Sequence, residues 1–315
     1  MQEKNNTILI TGGCGFIGSA VVRRIRNDKN LQHYKLIIVD NLAVGKKDNI
    51  KDYADKIEFH QIDIRSKEDL DPLFEKCDYV IHLAANVSIQ KSIEDPSYSH
   101  SVNLSGFINV LELSKKHHIR NIVYASSAAV YGDLSQELSE YLPIRPISPY
   151  GFEKMADEYY AKFYKQYHNV KSVGLRFFNV YGAGNHKDSD YAGVIKIFGD
   201  AIENNEEIKI YGDGSQTRDF IFLEDVADVV VKSLIGNLQG VFNLATGNSI
   251  SILDLAKTMQ KVAGKELPIN FLSKKNADIL ISRANIDKIK SAIKDFSTLD
   301  IFTGLSKIKK NDNPS

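Results

Sequence analysis

Two residues with acid–base potential, Tyr150 and Lys154, stand four residues apart in the segment SPYGFEKMADEYYAKFY. In a helix this spacing places both side chains on one face. An ammonium group there favours the phenolate form of a phenol, whose free pKa is about 10. A phenolate can take a proton from a substrate hydroxyl near neutral pH. Taken alone, however, the pair also suits an ordinary exposed helix, so its meaning depends on the elements that position it.

A pair of hydroxyl side chains, Ser126 and Ser127, ends the apolar run NIVYASS (121–127). The run is typical of a buried strand, so the two serines lie where that strand meets solvent or a ligand. A hydroxyl there can donate a hydrogen bond to a substrate oxygen. The next residues, Ala128 and Ala129, have no proton to transfer.

The chain begins with a short apolar run, TILIT (7–11), which predicts a strand buried on both faces. Gly12, Gly15 and Gly18 follow it and precede a helical pattern. Such glycines allow the backbone to approach a pyrophosphate, which the N-terminus of the next helix attracts. Glycines also serve tight turns, so the spacing alone is weak evidence.

Asp40 strengthens this interpretation, because it ends the second predicted strand 22 residues after Gly18. A carboxylate at that place can accept hydrogen bonds from a ribose, which predicts a dinucleotide site. Asn41 follows it, and no Arg or Lys occurs until Lys46. Since a carboxylate repels a 2′-phosphate, the sequence favours NAD over NADP.

The same alternation of strand and helix continues along the chain. Further strands are predicted at 34–41, 57–64, 78–85 and 170–178, with helices at about 97–118 and 150–168. This pattern predicts an α/β fold with a doubly wound, Rossmann-type parallel sheet, whose ligands lie at the carboxyl ends of the strands. A smaller mixed α/β domain is expected after residue 178, and the polar residues 307–315 are expected to be frayed.

Composition excludes several classes of protein. The 315 residues carry 40 basic and 40 acidic side chains, so no net charge favours nucleic acid or an anionic membrane. Cys14 and Cys77 are too few for a disulfide framework or a metal cluster, and no metal is expected. No apolar stretch approaches the roughly 18 residues that span a bilayer. We therefore expect a soluble, cytoplasmic protein.

Seven segments, in the order in which a known family carries them, bring these features together. They are TGGCGFIGS, VDNL, HLAA, SSAAVYGD, SPYGFEK, LRFFNVYG and GDGSQTRDFIFLEDVA. By these motifs the chain resembles the extended short-chain dehydrogenase/reductase family, most closely its nucleotide-sugar epimerase branch. The resemblance implies an NAD-binding domain over 1–178, to which segments near 220–247 return, and a nucleotide-sugar-binding domain over 179–315.

The resemblance also implies a catalytic set of Ser127, Tyr150 and Lys154. In that reading Tyr150 takes the hydroxyl proton as a hydride leaves the adjacent sugar carbon for NAD, and Ser127 holds the sugar oxygen. Lys154 also holds the nicotinamide ribose. The residues expected around NAD are Gly12, Gly15, Phe16, Ile17, Gly18, Asp40, Asn41, Asp63, Ile64, Leu83, Ala84, Ala85, Asn103, Tyr150, Lys154 and Phe178.

A second set is expected to bind the nucleotide sugar. Its members are Ser88, Ser127, Asn179, Val194, Tyr211, Arg218, Lys275, Asp278 and Ser282. Asn179 and Arg218 match phosphate-binding residues of the family, although Arg218 beside Asp219 would otherwise suggest a surface ion pair. Tyr211 matches an aromatic near the base and ribose, and is otherwise a strand-end core residue.

Three further positions in this set concern the choice of substrate. Lys275 stands where the family often has an arginine, which alters the expected phosphate contact. Ser282 aligns with a site that is a bulky aromatic in epimerases restricted to simple hexoses, so a serine leaves room for a 2-acetamido group. Ser88 matches a polar position of the sugar pocket.

Several reactions fit this family. A 4-epimerase needs only retained NAD and the Ser/Tyr/Lys set. A 4,6-dehydratase or decarboxylase needs an added acid, and those branches carry Asp-Glu or Glu directly after the residue equivalent to Ser127, where this chain has Ala128 and Ala129. A non-catalytic dinucleotide-binding protein usually lacks the Tyr or the Lys, and a reductase usually draws on NADPH. The resemblance therefore favours the epimerase.

The family also commonly dimerises through two helices of each subunit, here the segments near 97–118 and 150–168. Apolar residues of these helices could equally face only the sheet. A homodimer is thus an expectation from the resemblance.

Overall fold

The strands of the protein follow the apolar runs of its sequence. The computed structural model describes residues 6–184, 193–274 and 280–312. The strands are β1 (Thr7–Thr11), β2 (Lys35–Val39), β3 (Glu58–His60), β4 (Tyr79–His82), β5 (Asn121–Ser127), β6 (Glu137–Leu138), β7 (Ser172–Phe177), β8 (Asn179–Tyr181), β9 (Ile208–Tyr211), β10 (Thr217–Phe222), β11 (Gly240–Leu244), β12 (Ser249–Ser251), β13 (Ile269–Leu272) and β14 (Arg283–Ala284).

Helices occupy most of the segments between them. They are α1 (Phe16–Asn27), α2 (Lys67–Glu75), α3 (Ile89–Glu94), α4 (Pro96–His100), α5 (Gly106–Lys116), α6 (Pro149–His168), α7 (Val194–Glu203), α8 (Leu223–Ile235), α9 (Ile252–Ala263), α10 (Asp287–Ala292) and α11 (Ile301–Asp312). Short 3₁₀ helices cover Lys47–Lys56 and Ala128–Tyr131.

The central sheet has seven parallel strands in the order β11-β7-β5-β4-β1-β2-β3. Because side chains alternate along a strand, Ile8 and Ile10 of β1 enter the core on one face and Leu9 enters the core on the other. The first core is closed by α1 and α8, and the second by α2, α5 and α6. Apolar packing on both faces explains the unbroken hydrophobic runs and confirms the predicted doubly wound fold.

The strand order reverses between β1 and β4. In sheets of this type the loops on either side of the reversal diverge and leave a crevice at the carboxyl ends of the strands. Here the crevice opens beyond Thr11 and His82, whose side chains are hydrogen-bonded to each other at 2.7 Å between Oγ1 and Nδ1. Ligands are therefore expected at this edge.

The C-terminal part has a core of its own. Side chains of α7, α9 and α11 pack there with strands of two small sheets, β8-β10-β12 and β9-β13. Of the residues 307–315 that were expected to be frayed, 307–312 continue α11, and 313–315 lie outside the described residues. Leu305 is buried and Ile308 packs against this core, so tertiary contacts stabilise a polar helix end.

One predicted helix is interrupted. The segment near 97–118 consists of α4, a π-helical turn over Ser101–Ser105, and α5. The turn carries Asn103 into the protein interior, where the side chain is fully buried. Among the described residues, no helix combines the length and the apolar character that a membrane crossing requires.

Candidate active site

A cavity of about 730 Å³ opens at the strand reversal. Its wall contains most of the residues predicted for NAD together with the three predicted catalytic residues. They are Gly12, Gly15, Phe16, Ile17, Gly18, Asp40, Asn41, Asp63, Ile64, Leu83, Ala84, Ala85, Ser127, Tyr150, Lys154 and Phe178. The fold thus brings residues from distant segments of the chain to one cavity.

The glycine-rich turn has no space for side chains. A Cβ on Gly12 would lie 2.6 Å from the backbone nitrogen of Ala84, and one on Gly18 would lie 2.1 Å from the carbonyl oxygen of Gly12. Gly12 also has a φ of +71°, which other residues rarely adopt. α1 begins directly after Gly15, with no side-chain cap on its first N–H groups. The uncapped N–H groups can donate to a pyrophosphate, and the absence of side chains on the turn lets its backbone approach that group closely.

Asp40 holds this turn in place. Its Oδ2 accepts a hydrogen bond of 3.0 Å from the N–H of Cys14, and its Oδ1 accepts one of 2.8 Å from the N–H of Leu42. Burial raises the pKa of Asp40, while these two N–H groups oppose the shift. Since each carboxylate oxygen can accept more than one hydrogen bond, Asp40 retains acceptor capacity for a ribose.

A second carboxylate, Asp63, lies beyond the end of β3. Arg65 donates to both of its oxygens at 2.8 Å, and Asn41 donates to Oδ2 at 2.9 Å. The hydrogen bonds from Arg65 hold the pKa of Asp63 well below its usual range. Arg65 was not predicted as a site residue, and its guanidinium also stands over the ring of Tyr98, 5.3 Å from the centroid. Its position two residues after Asp63, between β3 and α2, was the available signal.

Ser127 stands at the carboxyl end of β5. Its Oγ accepts a hydrogen bond of 3.1 Å from the N–H of Ala129, in the 3₁₀ turn that follows. The hydroxyl proton is thus left to donate elsewhere. The neighbouring Ser126 is oriented differently, because its Oγ donates to Glu158 at 2.6 Å within the protein interior. Of the two serines, Ser127 has the geometry for a substrate contact.

Tyr150 and Lys154 lie in the first turns of α6. The helix begins at Pro149, and the side chain of Ser148 caps it by accepting from the N–H of Gly151 at 3.1 Å. The N–H of Tyr150 donates to Ser92 of α3 at 3.2 Å, which fixes the start of the helix beside the cavity. The strand-end Ser127 and the two residues of this helix therefore lie together at the cavity.

Lys154 is almost completely buried, at 1% exposed. Burial acts to lower the pKa of Lys154, but Asp157 and Tyr150 outweigh it and raise that pKa. The ammonium form therefore persists next to the phenol of Tyr150. This is the electrostatic arrangement that a tyrosine base requires.

Asn103 was predicted to lie around NAD, but it is not part of the described cavity wall. Its Oδ1 accepts from the N–H of Asn86 at 2.7 Å, and its Nδ2 donates to the carbonyl of Asn86 at 2.9 Å and to Glu153 at 2.5 Å. Asn103 therefore connects the π-helical turn with α6 and with the segment after β4.

Of the predicted nucleotide-sugar residues, Asn179, Val194, Tyr211, Arg218 and Ser282 lie in the C-terminal part, whereas Ser88 lies before α3 and Ser127 ends β5. Among the described residues, the cavity wall includes none of Ser88, Asn179, Val194, Tyr211, Arg218 and Ser282. Lys275 and Asp278 lie outside the described residues. Ser88 caps α3 by accepting from the N–H of Lys91 at 3.0 Å. Val194 begins α7, and Tyr211 ends β9 with 41% of its surface exposed.

The segments that carry Arg218 and Ser282 are adjacent. The N–H of Ser282 donates to the carbonyl of Thr217 at 3.2 Å, so the two segments run side by side. Asp219 points to the opposite face of β10, where it accepts hydrogen bonds from Thr246 and Gly247. An ion pair between Arg218 and Asp219 therefore does not account for Arg218. Asn179 lies on the neighbouring strand and donates to the carbonyl of Asp219 at 3.0 Å.

Comparison with known proteins identifies similar chains. The family model described as "NAD dependent epimerase/dehydratase family" matches residues 8–245. A protein of Methanocaldococcus jannaschii named putative UDP-glucose 4-epimerase is 41% identical over 252 residues, with 79% of each chain covered.

Two solved structures show the same fold over nearly the whole chain. One is a UDP-N-acetylglucosamine 4-epimerase from Methanobrevibacter ruminantium in complex with UDP-N-acetylmuramic acid. It has a TM-score of 0.91 and 32% identity, with 98% of each chain covered. The other is a UDP-glucose 4-epimerase from Thermus thermophilus in complex with NAD. It has a TM-score of 0.85 and 29% identity, with 96% of this chain and 97% of that chain covered.

Proposed function

We propose that this chain, which belongs to the NAD dependent epimerase/dehydratase family, is an NAD-dependent nucleotide-sugar 4-epimerase. Its substrate is a UDP-hexose or a UDP-N-acetylhexosamine, with the UDP-GlcNAc/UDP-GalNAc pair favoured. One observation carries the proposal: Ser127, Tyr150 and Lys154 share a cavity wall with the glycine-rich turn and Asp40. A dinucleotide and a sugar hydroxyl can therefore meet there.

The residues of the chain have separate tasks in this reaction. NAD, when bound, supplies the reversible oxidation of a sugar carbinol. The Tyr150 phenolate takes the proton of the sugar hydroxyl and later returns it, while the Ser127 hydroxyl donates a hydrogen bond to the same oxygen. Lys154 keeps the phenolate form accessible through its charge. The glycine-rich turn and Asp40 hold the pyrophosphate and the ribose.

The distribution of acidic side chains favours an epimerase over a dehydratase. Within the described residues, the acids on the cavity wall are Asp40, Asp63, Glu94 and Asp95. Asp40 follows β2, which is three strands away from β5. At about 4.8 Å per strand this separates Asp40 from Ser127 by roughly 14 Å, and Asp63 lies one strand further away. Neither can protonate a leaving group on a sugar held by Ser127.

The other two acids have local partners. Asp95 caps α4 by accepting from the N–H of Tyr98 at 2.9 Å, and Glu94 accepts from Gln90 at 2.8 Å. Both are exposed. Ala128 and Ala129 supply no acid beside Ser127, so the added proton transfers of a dehydration have no side chain here to perform them.

The second region is proposed to bind the nucleotide diphosphate and to admit the acetamido group. Arg218 supplies a guanidinium fork suited to phosphate, and Ser282 beside it is small. Lys275 and Asp278 complete this set in the proposal. The similarity to a structure named as a UDP-N-acetylglucosamine 4-epimerase supports the larger sugar.

We also propose that the protein is a homodimer. Phe152, Tyr159, Phe163 and Tyr167 form an exposed aromatic stripe on α6, each between 46% and 64% exposed. Such a stripe on a helix is unusual for a surface that faces only water. A second copy of the same helix is a partner of matching chemistry.

The experiment that tests the activity incubates the purified protein with UDP-Glc, UDP-Gal, UDP-GlcNAc and UDP-GalNAc separately, and follows the products by NMR. We expect interconversion at the sugar C4 without added cofactor, from protein that retains NAD. Tyr150→Phe should be inactive and should still bind NAD. A 4-keto-6-deoxy product would contradict the epimerase assignment, and so would turnover that consumes NAD or NADPH in proportion to substrate.

A further inference from the structure

A carboxylate accompanies the lysine of the candidate active site. Lys154 Nζ donates to Asp157 Oδ2 at 3.0 Å, and the two side chains are 2% and 1% exposed. Within the described residues, Asp157 Oδ1 is buried without a hydrogen-bond partner. The proposed mechanism assigns no role to Asp157.

This ion pair differs from the other buried pair on α6. Glu158 accepts two hydrogen bonds from Arg176 of β7, at 2.8 and 2.7 Å, and so fastens α6 to the sheet. Lys154 and Asp157 are both on α6, three residues apart, so their hydrogen bond connects no two elements. A buried ion pair that replaces apolar side chains is often neutral or unfavourable for stability, because both charges lose water. Its effect is therefore local to Lys154.

Other titratable groups surround the pair. On α6 these are Glu153 and Glu158, with Tyr150 at the start of the helix; Tyr124 on β5 and His82 on β4 complete the set. Glu153 is hydrogen-bonded by Ser99 and Asn103, and Glu158 by Arg176 and Ser126. Their charges thus have partners of their own, and Asp157 is the carboxylate hydrogen-bonded to Lys154.

We propose that Asp157 is a positioning residue for Lys154, which fixes the ammonium group and limits the positive charge that it exerts on Tyr150. This inference rests on the proposed role of Tyr150 as the base. A carboxylate 3.0 Å from the ammonium offsets much of its field. If Asp157 loses its charge, the full field of Lys154 acts on the phenol, and the phenolate is favoured further.

The ionisation of Asp157 makes this effect respond to pH. Burial raises the pKa of Asp157 to about 7, with Lys154 opposing the shift and with Glu153 and Glu158 adding to it. As the pH falls through neutrality, Asp157 takes up a proton and its hold on the Lys154 charge weakens. The charge of Lys154 then acts on the phenol with less opposition.

The test compares two substitutions. Asp157→Asn keeps the size of the side chain and an oxygen that accepts from Lys154, but removes the charge. Asp157→Ala removes both. Asp228→Asn is the control, since Asp228 forms ion pairs with Arg24 and Lys232, and none of the three is on the cavity wall. The ionisation of Tyr150 is read in the NAD-loaded protein by ultraviolet difference titration, with Tyr150→Phe subtracted in each background.

Above about pH 7, where the wild-type Asp157 is ionised, we expect a larger fraction of Tyr150 phenolate in Asp157→Asn than in the wild type, and below that pH the two titrations should converge. kcat should follow the phenolate fraction while KM stays constant. Asp157→Ala should show the same titration shift and a lower kcat, because its lysine is no longer held. Asp228→Asn should match the wild type.

A titration of Asp157→Asn that coincides with the wild type would overturn the proposal, as would a shift to higher pH. A lowered melting temperature without a titration shift would mean a structural role only. If one variant does not fold, the titration of the other decides between these outcomes. Because the titration needs no turnover, a protein that epimerises no sugar would refute the proposed function and leave the Asp157 result readable.

Discussion

The N–H of Ala129 donates a hydrogen bond of 3.1 Å to the Oγ of Ser127. The turn after β5 has no acidic side chain at Ala128 and Ala129, and its backbone also contacts Ser127. The N–H of Ala129 occupies one acceptor site of the serine oxygen, so the hydroxyl proton remains available for donation. In the proposed function, the turn that has no acidic side chain at Ala128 and Ala129 therefore also orients the Ser127 hydroxyl towards the sugar.

Ser127→Ala should lower kcat by about 10²- to 10³-fold, because a donor to the developing charge on the sugar oxygen is lost. NAD binding and the melting temperature should stay near the wild-type values, since among the described residues this side chain accepts one short-range hydrogen bond. Ser127→Thr keeps the hydroxyl and serves as the control. Steady-state epimerisation and calorimetric NAD binding measure the two effects. A Ser127→Ala enzyme with wild-type kcat would remove Ser127 from the catalytic set.

Asp40→Asn should change the choice of dinucleotide. The neutral amide keeps the shape of the side chain but loses charge-assisted hydrogen bonds and the repulsion of a 2′-phosphate. We expect NAD to bind about tenfold more weakly and the preference for NAD over NADP to fall. Calorimetric titration with both dinucleotides measures this, with Asp228→Asn as the control. An equal loss of affinity for NAD and NADP would show that Asp40 acts only through the turn at Cys14.

The buried His82 should make the free energy of unfolding depend on pH. Burial, with a contribution from Lys154, lowers the pKa of His82 to about 3. An unfolded chain binds the proton near its ordinary pKa of about 6.5, whereas the folded protein stays neutral. Between these values the unfolded state binds more protons, so the free energy of unfolding falls as the pH falls below about 6.5, by up to about 1.4 kcal/mol per pH unit.

His82→Asn tests that dependence, because an asparagine can keep the hydrogen bond with Thr11 but does not titrate. The free energy of unfolding is measured by urea denaturation between about pH 5 and pH 7. Its slope against pH should be smaller in His82→Asn than in the wild type, by up to about 1.4 kcal/mol per pH unit, which corresponds to one proton. His33→Asn, at an exposed position, should leave the slope unchanged. Equal slopes in wild type and His82→Asn would contradict the assignment.

Much of the fold could be predicted because parallel strands buried on both faces produce long apolar runs. β1 and β5 were predicted with the bounds that the structure shows, and Gly264 ends α9 with a φ of +70°, as a C-terminal glycine predicts. The π-helical turn at 101–105 had no such signal, because an extra residue in a helical turn leaves the apolar period nearly unchanged. The helical end of the chain depends on contacts with a distant core.

The residues of the candidate site, like the elements of the fold, could be predicted only in part. The types and spacing of Gly12, Tyr150 and Lys154 predicted a shared cavity because each sits at a strand end or a helix start. Arg65 and Asp157 were not singled out, although Arg65 directly follows Ile64 and Asp157 comes three residues after Lys154. Their importance depends on burial and on which side chains meet, and the one-dimensional pattern carries neither. The division of the chain into domains at residue 178 remains a prediction. β11 comes after that residue in the sequence, yet it lies at the edge of the central sheet.

Ser282→Tyr should separate the two sugar classes. The serine is 7% exposed and lies beside β10, so a tyrosine would occupy the space proposed for the acetamido group. We expect turnover of UDP-glucose to be retained and kcat/KM for UDP-GlcNAc to fall by at least about tenfold. Ser282→Ala, which adds no bulk, should keep both activities. An equal loss for both sugars in Ser282→Tyr would mean that the position does not select between them.

The aromatic stripe on α6 predicts the assembly state. Phe163 is 46% exposed and its ring packs with that of Tyr167 at 4.8 Å between centroids, so the two form one apolar surface. Light scattering should give twice the 35.3 kDa chain mass for the wild type. Phe163→Glu should give the monomer, because each helix would bring a buried, unpaired carboxylate to a two-fold interface. Phe271→Glu, an exposed aromatic of β13, is the control and should remain dimeric. A wild-type monomer, or a Phe163→Glu protein that stays dimeric, would exclude this face of α6 as the interface.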